Sequence, residues 1–119
     1  MNSRPEQLRD RTKAFALCVI RLFRSLPYKT DTQVLGKQLL RCGSSVAANY
    51  RTVCRARSKA EFIARLGIVA EEADEAVLWL ELLAESGIVK VEMTEDLLKE
   101  AKELAAILTA SQQTAKRTV

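Results

Sequence analysis

The sequence contains no histidine, two prolines, four glycines, three cysteines and only six aromatic residues. Without histidine, the commonest general base, nucleophile partner and zinc ligand is missing. Cys-x-x-Cys pairs are absent, and so are the Gly-rich loops that cradle phosphates. Glu71, Glu72, Asp74 and Glu75 are dense enough to suggest the carboxylates of a di-iron bundle. No Glu-x-x-His accompanies them, however, and the core stripe of that segment is apolar. The expectation is a protein that is not an enzyme, with no catalytic residue, metal or cofactor. No run approaches the ~18 apolar residues of a membrane span. Met1 to Lys13 is polar, without the apolar stretch of a signal peptide. Cys18, Cys42 and Cys54, odd in number and set in apolar helical patterns, predict reduced, buried thiols in a bacterial-type cytoplasmic protein.

The scarcity of glycine and proline leaves few places to turn, so the elements should be few and long. Phe15, Cys18, Val19, Leu22, Phe23 and Leu26 recur at helical spacing and stop before Pro27, which disfavours helical geometry in its predecessor. Leu35, Leu39, Cys42, Val46, Tyr50 and Val53 form a second series, opened by Thr30, Asp31 or Thr32 as cap. Ser58 and Glu61 have the spacing of a capping box. They open a third series of Phe62, Leu66, Val69, Ala73, Val77, Leu80 and Ala84, closed by Gly87 as a left-handed stop. Thr94 caps a fourth series of Leu97, Ala101, Leu104, Leu108 and Ser111, and the polar tail from Gln112 is expected to fray. The pattern predicts an all-α fold: an up-down-up-down antiparallel four-helix bundle. It forms a single domain over residues 1–119, with helices at about 6–26, 32–56, 59–86 and 95–114.

Charge is unevenly distributed behind the net +4. Residues 1–60 carry 13 Lys/Arg against 3 Asp/Glu, whereas residues 61–103 carry 4 against 12. Residues 32–60 contain six Lys/Arg and no acid. On a helical wheel Lys37, Arg41, Arg51 and Arg55 share an arc of about 80°, opposite Leu35, Leu39, Val46 and Val53. With Arg57 and Lys59 they are the candidate nucleic-acid-binding residues, acting on phosphates rather than bases. Most aromatics fall on core stripes, so base stacking is not expected. The alternative is a stripe that is simply solvated, or one that faces another subunit. Leu40, Gly43 and Ala47 form a small-residue edge on helix two, and Ile68, Glu72, Glu75, Trp79 and Leu82 project outward from helix three. These eight are the candidate oligomer interface, with basic helix two complementing acidic helix three between protomers. A protein-interaction scaffold that binds no nucleic acid is the competing function.

The run Gln38-Leu39-Leu40-Arg41-Cys42-Gly43-Ser44-Ser45-Val46-Ala47-Ala48-Asn49-Tyr50-Arg51 resembles the signature of the four-helix-bundle family encoded in intervening sequences of bacterial 23S ribosomal RNA genes. Arg55 to Phe62, Glu71 to Glu75 and Trp79 to Leu83 are similar to helix three of the same family. That family includes the accessory variability determinant of diversity-generating retroelements. The resemblance implies a homopentameric barrel of four-helix bundles with a basic surface. In the retroelement branch it implies binding of nucleic acid, RNA or DNA, and of a reverse transcriptase. Tyr50-Arg51-Thr52-Val53 stands where many members have an Ile-Ala-Glu-Gly stretch. With a net charge of +4, less basic than the retroelement accessory proteins tend to be, the chain is similar to the general family rather than to the dedicated accessory subunit.

Overall fold

Ser3 accepts a hydrogen bond from the backbone N–H of Glu6 at 3.3 Å and so opens the first helix, α1 (Arg4–Ser25). Pro5 in its first turn needs no donor there, so the helix begins at Arg4, two residues ahead of the expected start at about residue 6. It ends where expected, with Leu26 extended ahead of Pro27. The computed structural model describes residues 3–118. It continues with α2 (Thr30–Val53), α3 (Lys59–Glu85), a 3-10 turn (Val91–Met93) and α4 (Glu95–Arg117). The described residues contain no strand.

Local chemistry accounts for most of the boundaries. Ser58 Oγ accepts from Glu61 N–H at 3.0 Å, and Glu61 Oε2 reaches back to the N–H of Arg57 at 3.1 Å. This capping box holds Ser58 extended and forces the chain out of helix before it. As a result α2 ends at Val53, and Arg55 lies in the turn beyond it. Gly87 closes α3 at φ +81, where other residues would be strained. Two expected caps are built differently. Lys29 opens α2 without a side-chain cap, while Asp31 instead accepts from the N–H of Thr32. Thr94 turns its hydroxyl back onto the carbonyl of Val91 at 3.0 Å. The tail does not fray at Gln112. Its side-chain amide donates to the carbonyl of Ile63 at 3.0 Å, tying the last turns of α4 to α3.

The apolar stripes meet in one core, in which Phe15, Val19, Leu39, Val46, Leu66, Leu80, Leu104 and Leu108 are fully buried. Each helix packs closely on its neighbour in sequence, whereas α1 and α4 touch over a short stretch. The result is a rod of 49 × 27 × 20 Å. Its radius of gyration of 14.9 Å exceeds the roughly 13.5 Å of a round domain this long. Gly43 is buried where α2 crosses α1: a Cβ there would lie 2.8 Å from Val19 Cγ2. Cys42 is buried, but Cys18 and Cys54 are exposed, so only one of the three thiols belongs to the core. Cys18 lies on the arc that would face α4. Because the α1–α4 seam is open, it lines a groove of about 490 Å3 there with Phe15, Leu22 and Leu97.

Candidate functional site

The basic stripe proposed for α2 divides into three parts in the structure. Lys37 is exposed near the α1–α2 turn, beside Tyr28, Lys29 and Val34. At 1.5 Å per residue it stands roughly 27 Å along the axis from Arg55. Arg41 is 50% exposed, but its guanidinium bonds Glu72 at 3.2 Å and also pairs with Glu75, both on α3, so its charge is already compensated within the chain. Trp79 donates its indole N–H to the same Glu75 at 3.3 Å. Arg41, Glu72, Glu75 and Trp79, which the wheel assigns to two different surfaces, therefore form one cluster across the α2–α3 seam of a single chain.

This cluster lies over the buried thiol of Cys42, which also receives an Arg41 N–H at 3.3 Å. Cys42 Sγ and a carboxylate oxygen from each of Glu72 and Glu75 lie within 4.8 Å of one another, a spacing compatible with a cation. Burial, and then the charge of Glu75, push the thiol up to about 12. At neutral pH, with no cation beside it, the thiol stays protonated. The positive charge that balances the two carboxylates here is the guanidinium of Arg41.

The third part is a convergence at one end of the rod. Arg51 and Arg55 meet Arg9 of α1 around Cys54, lining a shallow depression of about 390 Å3. Arg4, in the first turn of α1, stands beside Tyr50 on the neighbouring face. All four arginines are exposed, and none has a carboxylate within ion-pairing distance among the described residues. Arg57 and Lys59 follow at the start of α3, both exposed. Arg4 and Lys59 occupy first helical positions, where the dipole disfavours cations by about 0.3–1 kcal/mol. Helix stability does not account for their placement, although it does suit Arg51 in the last turn of α2.

The whole bundle, not the arginine end alone, matches known proteins. The model of the 23S rRNA-intervening sequence protein family matches residues 6–110. The chain belongs to this family. It is also similar to a protein of unknown function from the S23 ribosomal protein family of Bacteroides thetaiotaomicron VPI-5482, whose crystal structure is solved. The two share 31% identity over 93% of this chain and 99% of the other, with a TM-score of 0.85. No curated protein matches the sequence.

Within this family member the interface candidates also separate. Gly43 faces Val19 of its own chain, and Leu40 is half-buried against its own core. Ala47 is half-buried, while Ile68 and Leu82 are 46% and 39% exposed. Leu78, not singled out by sequence, is 47% exposed and extends that apolar strip among Glu71, Glu75 and Glu85. Sequence reasoning also missed Arg4 and Arg9. Both precede the apolar stripe of α1, and only the packing of α1 against α2 brings them to Arg51 and Arg55. No helix of the described residues is long and apolar enough to cross a membrane.

Proposed function

We propose that this chain is a non-enzymatic, oligomeric, cytoplasmic protein that binds nucleic acid through its phosphates, using the arginine end of the bundle. The observation that carries the proposal is the convergence of Arg4, Arg9, Arg51 and Arg55 with no carboxylate paired to them among the described residues. Four unpaired guanidiniums on one small surface repel one another, and a polyanion relieves that repulsion. Lys37 and Arg41 drop out of the site, Arg57 and Lys59 remain at its margin, and Arg4 and Arg9 join it.

The groove beside the arginines draws on the first turns of α1, the last of α2, the first of α3 and the end of α4. That gathering supports an up-down-up-down, antiparallel order. The resemblance described above supports a pentameric barrel. The same resemblance suggests a nucleic-acid-handling protein, such as a reverse transcriptase, as a protein partner.

The test is binding to a fluorescent single strand across a salt series, with solution mass recorded on the same samples. Four phosphates engaged per protomer give a slope of about −3 in log K against log salt. Arg51→Glu with Arg55→Glu should abolish binding and keep the mass. Arg41→Gln should bind normally, since that side chain is already paired. No binding at low salt by an intact oligomer sinks the proposal.

A second reading has its own observation. Ile68, Leu78 and Leu82 form an exposed apolar strip on acidic α3, which suits a protein-interaction scaffold. In that case Leu78→Lys would lower the solution mass, and the arginine reversal would leave every ligand unaffected.

A further inference from the structure

Directly beside the arginine depression, and sharing Cys54 with it, lies a cavity of about 350 Å3. This is at the small end of the range for ligand pockets, about 300–1,000 Å3. Its lining is mostly apolar, including the buried Leu8, Val53 and Leu66, and its accessible aromatic is the half-buried Phe62, since Tyr50 is 4% exposed. A few polar atoms interrupt it: the Tyr50 hydroxyl, which interacts with Cys54, the Ser111 hydroxyl and the exposed Arg4. Two of the six aromatic residues therefore line a cavity bordered by unpaired cations, which core-stripe periodicity did not anticipate.

We propose that this cavity takes one unstacked nucleobase of a single strand whose phosphates lie on Arg9, Arg51 and Arg55, an inference that rests on the phosphate-binding function above. The charge pattern selects the occupant. The depression calls for an anion, and the adjoining cavity calls for a flat apolar body that carries hydrogen-bonding edges. A nucleotide presents both within one covalent unit. An acyl chain would leave the Ser111 hydroxyl and Arg4 without a use. A paired base cannot enter, so single strands are preferred over duplex of the same length. Base–aromatic contact of this kind contributes about tenfold in affinity or more.

The experiment compares three fluorescein-labelled probes at one salt concentration: a 15-nucleotide oligo-dT, an abasic strand of equal length and a 15-base-pair duplex. The oligo-dT should bind at least about tenfold more tightly than the abasic strand, with the same salt slope. Ala56→Phe narrows the cavity from the α2–α3 turn and keeps every arginine. It should bring oligo-dT down to the affinity of the abasic strand and leave the abasic strand unchanged. Ser111→Leu, from the opposite wall, should do the same and serves if Ala56→Phe fails to fold by circular dichroism.

Equal binding of oligo-dT and abasic strands, unaffected by either substitution, would overturn the base pocket and leave phosphate binding standing. If no probe binds at low salt, both fall together. Capture of phosphatidylglycerol vesicles that either substitution abolishes would assign the cavity to an acyl chain and overturn the proposal.

Discussion

Gly43 offers a sharp test of whether α2 packs on its own chain or on a second copy. A methyl group placed on it would sit 2.8 Å from Val19 Cγ2, 2.9 Å from Cγ1 and 3.0 Å from Cβ. Val19 is fully buried, and its β-branched side chain has one favoured rotamer in a helix, so it cannot swing aside. Gly43→Ala therefore forces α1 and α2 apart, at about 1–3 kcal/mol for overpacking. Replacing a helical glycine by alanine returns about 1 kcal/mol. The net loss is about 0–2 kcal/mol, or a Tm lower by up to roughly 8 °C for a chain of this size. Val19→Ala alone opens a cavity and costs about 2–3 kcal/mol. Combined, the new methyl fills the space the valine leaves, and the double variant should be less destabilised than the sum by about 1–2 kcal/mol. The assay is urea unfolding of the four proteins at one protomer concentration. If Gly43→Ala is more stable than the parent, with no coupling to Val19, the intrachain contact is wrong. A lower solution mass at unchanged stability would instead place Gly43 between protomers.

Other expectations follow from the same structure. Under native conditions a thiol reagent should modify Cys18 and Cys54, sparing Cys42 until the chain unfolds. A thiol pushed from 9.0 to about 12 holds about 1,000-fold less thiolate at pH 8, and three equal rates by mass spectrometry would contradict its burial. Stability should fall as pH rises from 9 toward 12. Burial raises Tyr50 from 10.0 and Cys42 from 9.0 to about 12 each, so the folded chain keeps protons that the unfolded chain releases first. Unchanged urea midpoints at pH 8 and pH 10.5 would rule this out. Arg11 bonds Glu100 at 2.9 Å and Glu103 at 3.0 Å, but is 37% exposed. Arg11→Gln should therefore cost only about 0.5–1 kcal/mol, a loss that disappears in 1 M salt. A loss several-fold larger, or insensitive to salt, would show the pair to be more deeply shielded than its exposure indicates.

What could be read from sequence was local. Ser58, Leu26 before Pro27 and Gly87 act within a few residues of themselves and appear in the structure in their expected roles, while Glu61 reaches back one residue further than expected, to the N–H of Arg57. Helical periodicity likewise identified Phe15, Leu39, Leu66 and Leu104 as core. Arg41 illustrates the limit. A wheel reports direction about the axis of α2 alone, whereas Glu72 and Glu75 come from 31 and 34 residues away along the edge of another helix. The residue is solvated when its own helix is taken alone and is bridged in the bundle. Gly43 fails for the same reason, since a small-residue edge does not reveal which helix approaches it. Cys18 failed because α4 covers α1 incompletely. The arginine end needed α1 and α2 together, and no spacing within either helix links Arg9 to Arg51.

The thin α1–α4 seam also bears on how the chain reaches this shape. If nearly all close packing joins helices adjacent along the chain, few long loops must close before contacts form, and the entropic barrier to folding is low. Such a chain should fold in microseconds to milliseconds, measurable by rapid mixing. Each helix could begin docking on its predecessor as it emerges during synthesis, with the closure of α1 against α4 the last and weakest event. Copies meeting before that closure could trade their first helices, so the same seam is where exchange between protomers would begin.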